Sequence, residues 1–523
     1  MKRRSFLRTG AGLATLPVVL DGLNVSAYAR SPLLEALDAA PCQDRVLVLI
    51  QMAGGNDGLN TVIPLDQYGL YKNARTNIAI EEAKALKLND AVGLHPQMGL
   101  ISQMYTNGMM RVVQAVGYPV PNYSHFRSTD IWLSASDAEQ VISTGWMGRY
   151  LEQAYPGFPS GYPNATMPDP LAIQVGTVIS PGLEGTNANM GMAFTDPTTY
   201  FNITNQNTPV SVGRRAGSEL RYIRDVGQQI EKFANPVKAA AAKAKNKSGK
   251  YPAVRTNPLA DQLKIVAQLI AGGLKTKIYI VTHTGFDTHS YQVTGGAGSP
   301  VPHGTLLEQM SVAIDAFQDD LKLLGVQDRV LGMTFSEFGR RIASNASGGT
   351  DHGAAAPIFL FGTSVKKGVL GQNPTIPAKP TSEDNIPMQY DFRSVYSTIL
   401  QKWFCVDAAT TKDLLFRDFG TLDMLTTGSA TSVIDELAST GLALQLVPNP
   451  AHSYVTVAFA APSGEVSLSM FDGTGQQIVS HSANHTNGTA TLSLDVSAVP
   501  AGQYYVRLAY AGAAVVKPFV VMR

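Results

Sequence analysis

The chain has almost nothing with which to brace itself covalently: 523 residues carry two cysteines, Cys42 and Cys405. One pair cannot make a disulfide framework, so stability has to come from a packed interior. Sequence leaves open whether the two pair with each other or whether Cys405, in the apolar stretch KWFCV, is simply buried. Charge imbalance is missing as well. Lys and Arg number 41 against 40 Asp and Glu, a formal net charge of +1. That balance gives no general field for nucleic acid or an anionic membrane, and any charged ligand has to be met locally. A nucleic-acid reader is therefore excluded. The one basic run, KAAAAKAKNKSGK at 238–250, reads as a solvated helix entering a loop. No apolar run long enough for a convincing membrane span interrupts the chain, so no transmembrane helix is expected in the mature protein.

What is present is a globular composition, 44% hydrophobic and 15% charged, long enough for two or three domains. The two ends differ from the middle. MKRRSFLRTGAGLATLPVVL places Arg3 and Arg4 before Ser5-Phe6-Leu7, follows with a glycine-interrupted apolar stretch, and leads to the small-x-small Ala27-Tyr28-Ala29. Residues 1–29 resemble a twin-arginine export signal, with a short N-terminal anchor as the alternative. The resemblance implies the twin-arginine translocase as a partner and folding before export.

After about residue 440, short alternating runs such as VTVAF, VSLSMF, ATLSLD and YYVRLAY are punctuated by turn residues, the pattern of a small antiparallel sandwich over 441–523. Val447-Pro448-Asn449-Pro450, Asp472-Gly473-Thr474-Gly475, Leu494-Asp495-Val496-Ser497 and Ala501-Gly502-Gln503-Tyr504-Tyr505 resemble the type IX secretion sorting domain. That implies the type IX machinery as a partner, with the protein periplasmic in transit and then at the cell surface or extracellular. A generic carbohydrate-binding or adhesive sandwich is the alternative.

The body, residues 40–430, contains apolar runs of strand length: RVLVLIQM, MMRVVQAVGYP, KIYIVTHTG, DRVLGMTFSEFG and the shorter PIFLFG. Each of the first four is followed by polar residues and a helix-like segment, which predicts an α/β domain with a doubly wound, mostly parallel sheet. Ligands of such sheets gather at the carboxyl ends of the strands. Those ends offer Asp57 in AGGNDGLN, Ser124 and His125 in PNYSHF, His283, Asp287 and His289 in HTGFDTHS, and Glu337 and Arg340 in FSEFGRR. GGTDHGAAAP adds Asp351 and His352. Carboxylates and imidazoles collected in this way suggest a divalent metal.

Gly54-Gly55-Asn56-Asp57-Gly58-Leu59-Asn60, Gly93-Leu94-His95-Pro96, Ser124-His125-Phe126, Phe286-Asp287-Thr288-His289, Ser336-Glu337-Phe338-Gly339-Arg340, Gly349-Thr350-Asp351-His352-Gly353 and Asp391-Phe392-Arg393 resemble the DUF1501 family, exported proteins of uncharacterised function grouped with the alkaline phosphatase superfamily. The resemblance implies an alkaline phosphatase-like sheet and one or two metal ions, zinc first, with manganese, iron or calcium as alternatives. Asp57, His125, Asp287, His289, Glu337 and His352 are the expected ligands. Ser124 is the expected nucleophile, with an N-cap as its plain structural role, and Arg340 or Arg127 the expected clamp on a phosphate or sulfate ester. This chain departs from the superfamily pattern by having Glu337-Phe338 where an Asp-His pair is usual, so His125 or His283 would have to supply the missing nitrogen. It has no C-x-P-x-R or S-x-P-x-R, which rules out a formylglycine nucleophile. The expected activity is metal-dependent ester hydrolysis; metal or surface-glycan binding without turnover is the alternative.

Overall fold

The computed structural model describes residues 16–20, 23–27, 42, 44–197, 232–296, 301–426, 443–447, 449, 451–461, 463–472, 476–486, 488–510 and 513–523. The expected export signal lies mostly outside the described residues; within it, Leu16–Leu20 and Leu23–Ala27 pair antiparallel. The glycine turn expected at 473–475 also lies outside them. The chain divides into one compact unit of residues 42–426 and a second formed by 1–41 and 427–523. Among the described residues no helix is long and apolar enough to cross a membrane.

The larger unit is built on a nine-stranded sheet. Its strands are β1 (Val46–Ala53), β2 (Met110–Gly117), β3 (Ala172–Val175), β4 (Gly191–Phe194), β5 (Ile278–Thr284), β6 (Val330–Phe335), β7 (Ala356–Phe361), β8 (Gly368–Leu370) and β9 (Tyr390–Asp391), in the order β8-β2-β7-β6-β1-β5-β3-β4 with β9 beside β2. The middle strands are mostly apolar because both faces are covered: every residue of β2, β6 and β7 is buried, as are the first five of β1. β5, β1 and β6 run parallel. β7, the PIFLFG strand, runs antiparallel to both β6 and β2 and is the one reversal in a mostly parallel sheet. Its amino end therefore lies at the same sheet edge as the carboxyl ends of the others, with Ala356 opposite Val116. This register delivers the Asp351-His352 loop to the ligand-binding edge.

Helices α1 (Gly99–Thr106), α2 (His125–Ser134), α3 (Pro258–Ala271) and α4 (His303–Leu323) follow or precede these strands, with α4 packed on both α3 and α1. The basic run does begin in a helix, residues 232–243, but Val237, Ala240 and Ala241 of that helix are buried, so only one side of it is solvated. Cys42 and Cys405 are disulfide-bonded across 363 residues. The Arg45 guanidinium donates to the Trp403 carbonyl at 2.8 Å, and the Trp403 indole to the Val46 carbonyl at 3.2 Å, tying the start of β1 to the same region.

The second unit contains a three-stranded and a four-stranded antiparallel sheet. Strands β10 (Ala443–Val447), β11 (Tyr454–Ala461) and β14 (Gly488–Asp495) form one in the order β10-β11-β14, and β12 (Gly464–Asp472), β13 (Gln477–His485), β15 (Gly502–Tyr510) and β16 (Ala513–Val521) the other in the order β13-β12-β15-β16. Alternate residues, including Val455, Val457, Val466, Leu468, Met470, Val506, Leu508 and Phe519, make its core.

Candidate metal centre

The site is assembled by loops that approach closer than any side chain would allow. Gly54, at the end of β1, has φ +127°, and a Cβ there would fall 2.3 Å from the Asp287 nitrogen. A Cβ on Gly349 would fall 2.3 Å from the His289 carbonyl carbon. The Thr350 nitrogen donates to the Thr288 carbonyl at 3.1 Å, while Gly353 and Arg341 bond across to Gly339 and Asp351 at 2.8 and 3.0 Å. The loop GGTDHG is thereby held between the segment after β5 and the segment after β6.

Asp287 is the centre of the cluster. Its Oδ1 lies 3.1 Å from His289 Nε2 and 3.2 Å from His352 Nε2, and those two nitrogens are 2.9 Å apart. His125 Nε2 approaches Oδ2 at 3.4 Å. Each imidazole is fixed from behind. His125 Nδ1 donates to Glu337 at 2.8 Å, His352 Nδ1 to the Tyr123 carbonyl at 2.8 Å, and His289 Nδ1 faces Asp351 at 3.4 Å. A neutral imidazole whose Nδ1 carries the proton presents a lone pair at Nε2. Three such lone pairs thus converge on one carboxylate. Two of them face each other across 2.9 Å, an arrangement that needs a proton or a cation between them. Three atoms separated by 2.9, 3.1 and 3.2 Å can all lie about 2 to 2.3 Å from a single ion. His125, Asp287 and His352 likewise have donor atoms all within 4.8 Å of one another. The donor set fits a divalent metal.

The electrostatics of the cluster follow from its neighbours. Burial opposes ionisation of Asp287, but the nearby His352 ring and Arg340, through its hydrogen bond and its charge, outweigh it and hold the carboxyl well below the usual range. The Glu337 hydrogen bond raises the pKa of His125, against the effect of burial. His289 is lowered by burial and by the nearby Arg340.

Several expected site residues are placed elsewhere. Asp57 is not available as a ligand: it is fully buried, with both oxygens on Arg75 Nη1 at 2.7 and 2.6 Å and Oδ2 also taken by Gln292 at 2.6 Å. Glu337 is a buried support for His125, its Oε1 also accepting from the Gly54 nitrogen at 2.8 Å. Arg340 cannot clamp a substrate. Fully buried, it donates to the carbonyls of Gly55, Thr350, Gly54 and Phe286 and to Asp287, and its second Nη1 N–H faces His289 Nε2 at 3.5 Å. Arg127 is spent on the carbonyls of Asp137, Ala138 and Gln140. His283 is buried against the Leu306 carbonyl at 2.9 Å, so of the two candidates for the missing nitrogen His125 alone lies at Glu337. Ser124 is exposed at the N-cap of α2, and its hydroxyl makes no capping hydrogen bond.

The sequence reading missed Arg75, Gln292 and the Tyr123 carbonyl. It also missed a buried pair, His95 and His303, in which His303 Nε2 meets Asn56 at 3.0 Å. His95 stands in Gly93-Leu94-His95-Pro96 and Tyr123 in PNYSHF; no motif marks Arg75, Gln292 or His303.

The family profile described as Protein of unknown function (DUF1501) matches residues 131–435, more than half of the chain. The chain belongs to that family. A Secretion system C-terminal sorting domain matches residues 445–522 of this DUF1501 protein, which indicates export to the cell surface or the extracellular space by the type IX machinery. No curated protein matches the sequence. Among solved structures it is similar to a protein in the alkaline phosphatase superfamily from Vibrio parahaemolyticus, at 10% identity over 91% of this chain and 90% of that one, TM-score 0.31. A PsFucS1 sulfatase from Pseudoalteromonas sp. gives 10% identity over 94% and 92%, TM-score 0.31. The alkaline phosphatase of the Antarctic bacterium TAB5 gives 10% over 61% and 92%, TM-score 0.26.

Proposed function

We propose that this DUF1501 protein is an exported metal-dependent hydrolase of phosphate or sulfate esters. The observation that carries this reading is the convergence of three imidazole Nε2 atoms on Asp287, each ring fixed through its Nδ1. His125, Asp287, His289 and His352 would hold the ion, with Glu337, Asp351 and the Tyr123 carbonyl orienting the rings. A divalent cation bound there supplies Lewis-acid stabilisation of ester oxygens and lowers the pKa of an oxygen nucleophile. Ser124 would be that nucleophile: its hydroxyl is not engaged in capping, and the backbone donors of the first turn of α2 favour the negative charge that develops beside it. The Arg3-Arg4 motif supports entry into the export path through the twin-arginine translocase, ahead of type IX secretion.

A second reading, metal binding at the cell surface without turnover, is favoured by the donor count. Four protein ligands are enough to close a tetrahedral site, whereas catalytic sites keep a position open. Metal analysis of the purified full chain, then a screen of phosphate and sulfate esters with wild type and Ser124→Ala, separates the two. Hydrolysis that depends on metal and on Ser124 supports the enzyme. Stoichiometric metal with no turnover of any ester supports the second reading.

A further inference from the structure

The segment that carries His125 also exposes apolar surface beside the site. Val120 is 69% and Phe126 87% exposed, with Tyr123 more than a third exposed between them. Met388, also exposed, lies next to Gly117 at the start of the same segment. Val120 is a β-branched residue at φ +55°, between Pro119 and Pro121, a backbone region such residues avoid. The turn around it is held closed by the Tyr118 hydroxyl, which bonds the Asn122 nitrogen and carbonyl at 3.1 and 3.2 Å and Ser128 Oγ at 2.7 Å. The strain is thus imposed by surrounding structure. This segment is also wired to the cluster: the Tyr123 carbonyl fixes His352, and Phe126 directly follows His125.

Charge points the same way. Arg340 is spent on carbonyls, Asp287 and His289, and Arg127 turns its Nε and Nη2 to the carbonyls of residues 137–140. Arg341 donates to the His352 carbonyl at 2.9 Å, pairs with Glu383 at 3.2 Å and lies over the Tyr123 ring. With Arg340 and Arg341 committed and Arg127 turned toward the loop at 137–140, affinity beyond the metal is left to the alcohol part of the substrate. Isolated exposed apolar residues are ordinary, but three on the one short segment that also supplies His125 and the Tyr123 carbonyl to the cluster make a contact surface.

Resting on the hydrolase reading above, we infer that the substrate's alcohol carries a ring with an apolar face, and that this ring packs on the rim formed by Val120, Tyr123 and Phe126. Flat aromatic side chains suit such a face. Phe126 would then set specificity without touching the reacting atoms.

The test uses the full chain loaded with cobalt(II), titrated with phenylphosphonate and with methylphosphonate while the visible absorption of the metal is followed. Neither probe can be hydrolysed at its P–C bond, so binding is read without turnover. The expected result is phenylphosphonate bound about tenfold more tightly, or about 1.4 kcal/mol. Phe126→Ala should bring the two within about twofold, and Phe126→Tyr should keep the difference. Phe126 is too exposed for either change to threaten folding. Equal affinities in the wild type, or a ratio unaltered in Phe126→Ala, would overturn the rim while leaving the metal centre in place. If neither phosphonate perturbs the spectrum, the hydrolase reading fails and the rim fails with it.

Discussion

Each imidazole of the centre owes its usefulness to the atom behind it. Glu337 is the most buried of these supports, and its Oε1 is shared between the His125 ring and the Gly54 nitrogen. Glu337→Gln keeps the shape but removes the charge that holds the Nδ1 proton. Zinc affinity, measured by competition with a chelator, should fall about 10- to 100-fold with little change in fold. Ser124→Ala should leave stability within about 0.5 kcal/mol, since no capping bond is lost, yet remove turnover by orders of magnitude with metal still bound. Ser128 makes a contrast. Buried against Tyr118 and the Asn122 carbonyl, it should cost about 1 kcal/mol or more in stability when changed to Ala, measured by urea unfolding. At this scale the sequence was legible where chemistry and position coincide, as in Asp287, His289 and His352 following or preceding strands. It misassigned Asp57 because the guanidinium that fills that carboxylate comes from Arg75, in a segment without a motif. Arg340 was misassigned for a related reason: its donors are consumed by backbone carbonyls, which every residue has and no pattern reveals.

Among the elements, the loop after β1 does structural work. Arg75 joins Asp57 to the Ile342 and Arg341 carbonyls at 2.9 and 2.8 Å, and Gln292 accepts from Thr288 and Thr350, in the loops that carry the cluster, while donating to Asp57. Arg75→Met would leave the Asp57 carboxylate buried and uncompensated. It should cost about 3–5 kcal/mol, read as a fall in the denaturant midpoint. Burial lowers the pKa of His95 to about 4 and that of His303 to about 3. Unfolded histidine titrates near pH 6.5. Below that pH the unfolded chain takes up protons that the folded one does not, so the stability from these two is full above about pH 6.5 and is lost as pH falls toward 4. The slope approaches about 1.4 kcal/mol per pH unit for each histidine. Unfolding at pH 7 and pH 5 should show that loss in wild type and a shallower one in His303→Gln. An equal slope in the variant would assign the effect elsewhere. Five of the nine strands, β1, β2, β5, β6 and β7, were readable from apolar runs, while the short β3, β4, β8 and β9 were not; nor was the antiparallel sense of β7, because direction is set by pairing and a six-residue apolar run reads the same both ways.

At the scale of the whole molecule, two features are separable from the site. Replacing Cys42 and Cys405 together by Ala should lower stability by about 2–5 kcal/mol, seen as a drop in the midpoint of thermal unfolding, with metal affinity unchanged. Ending the chain after residue 435 should keep the thermal transition of the larger unit, because a sorting module has to be recognised independently of its cargo. The central claim is that one divalent ion is held by His125, Asp287, His289 and His352. Equilibrium dialysis of the metal-stripped full chain against zinc tests it most directly, with His352→Ala and Asp287→Asn beside the wild type. The account predicts one tightly bound ion per chain in the wild type and its loss in both variants, with thermal unfolding showing all three folded. A wild type that binds no zinc, or variants that bind it as well as the wild type does, would contradict it.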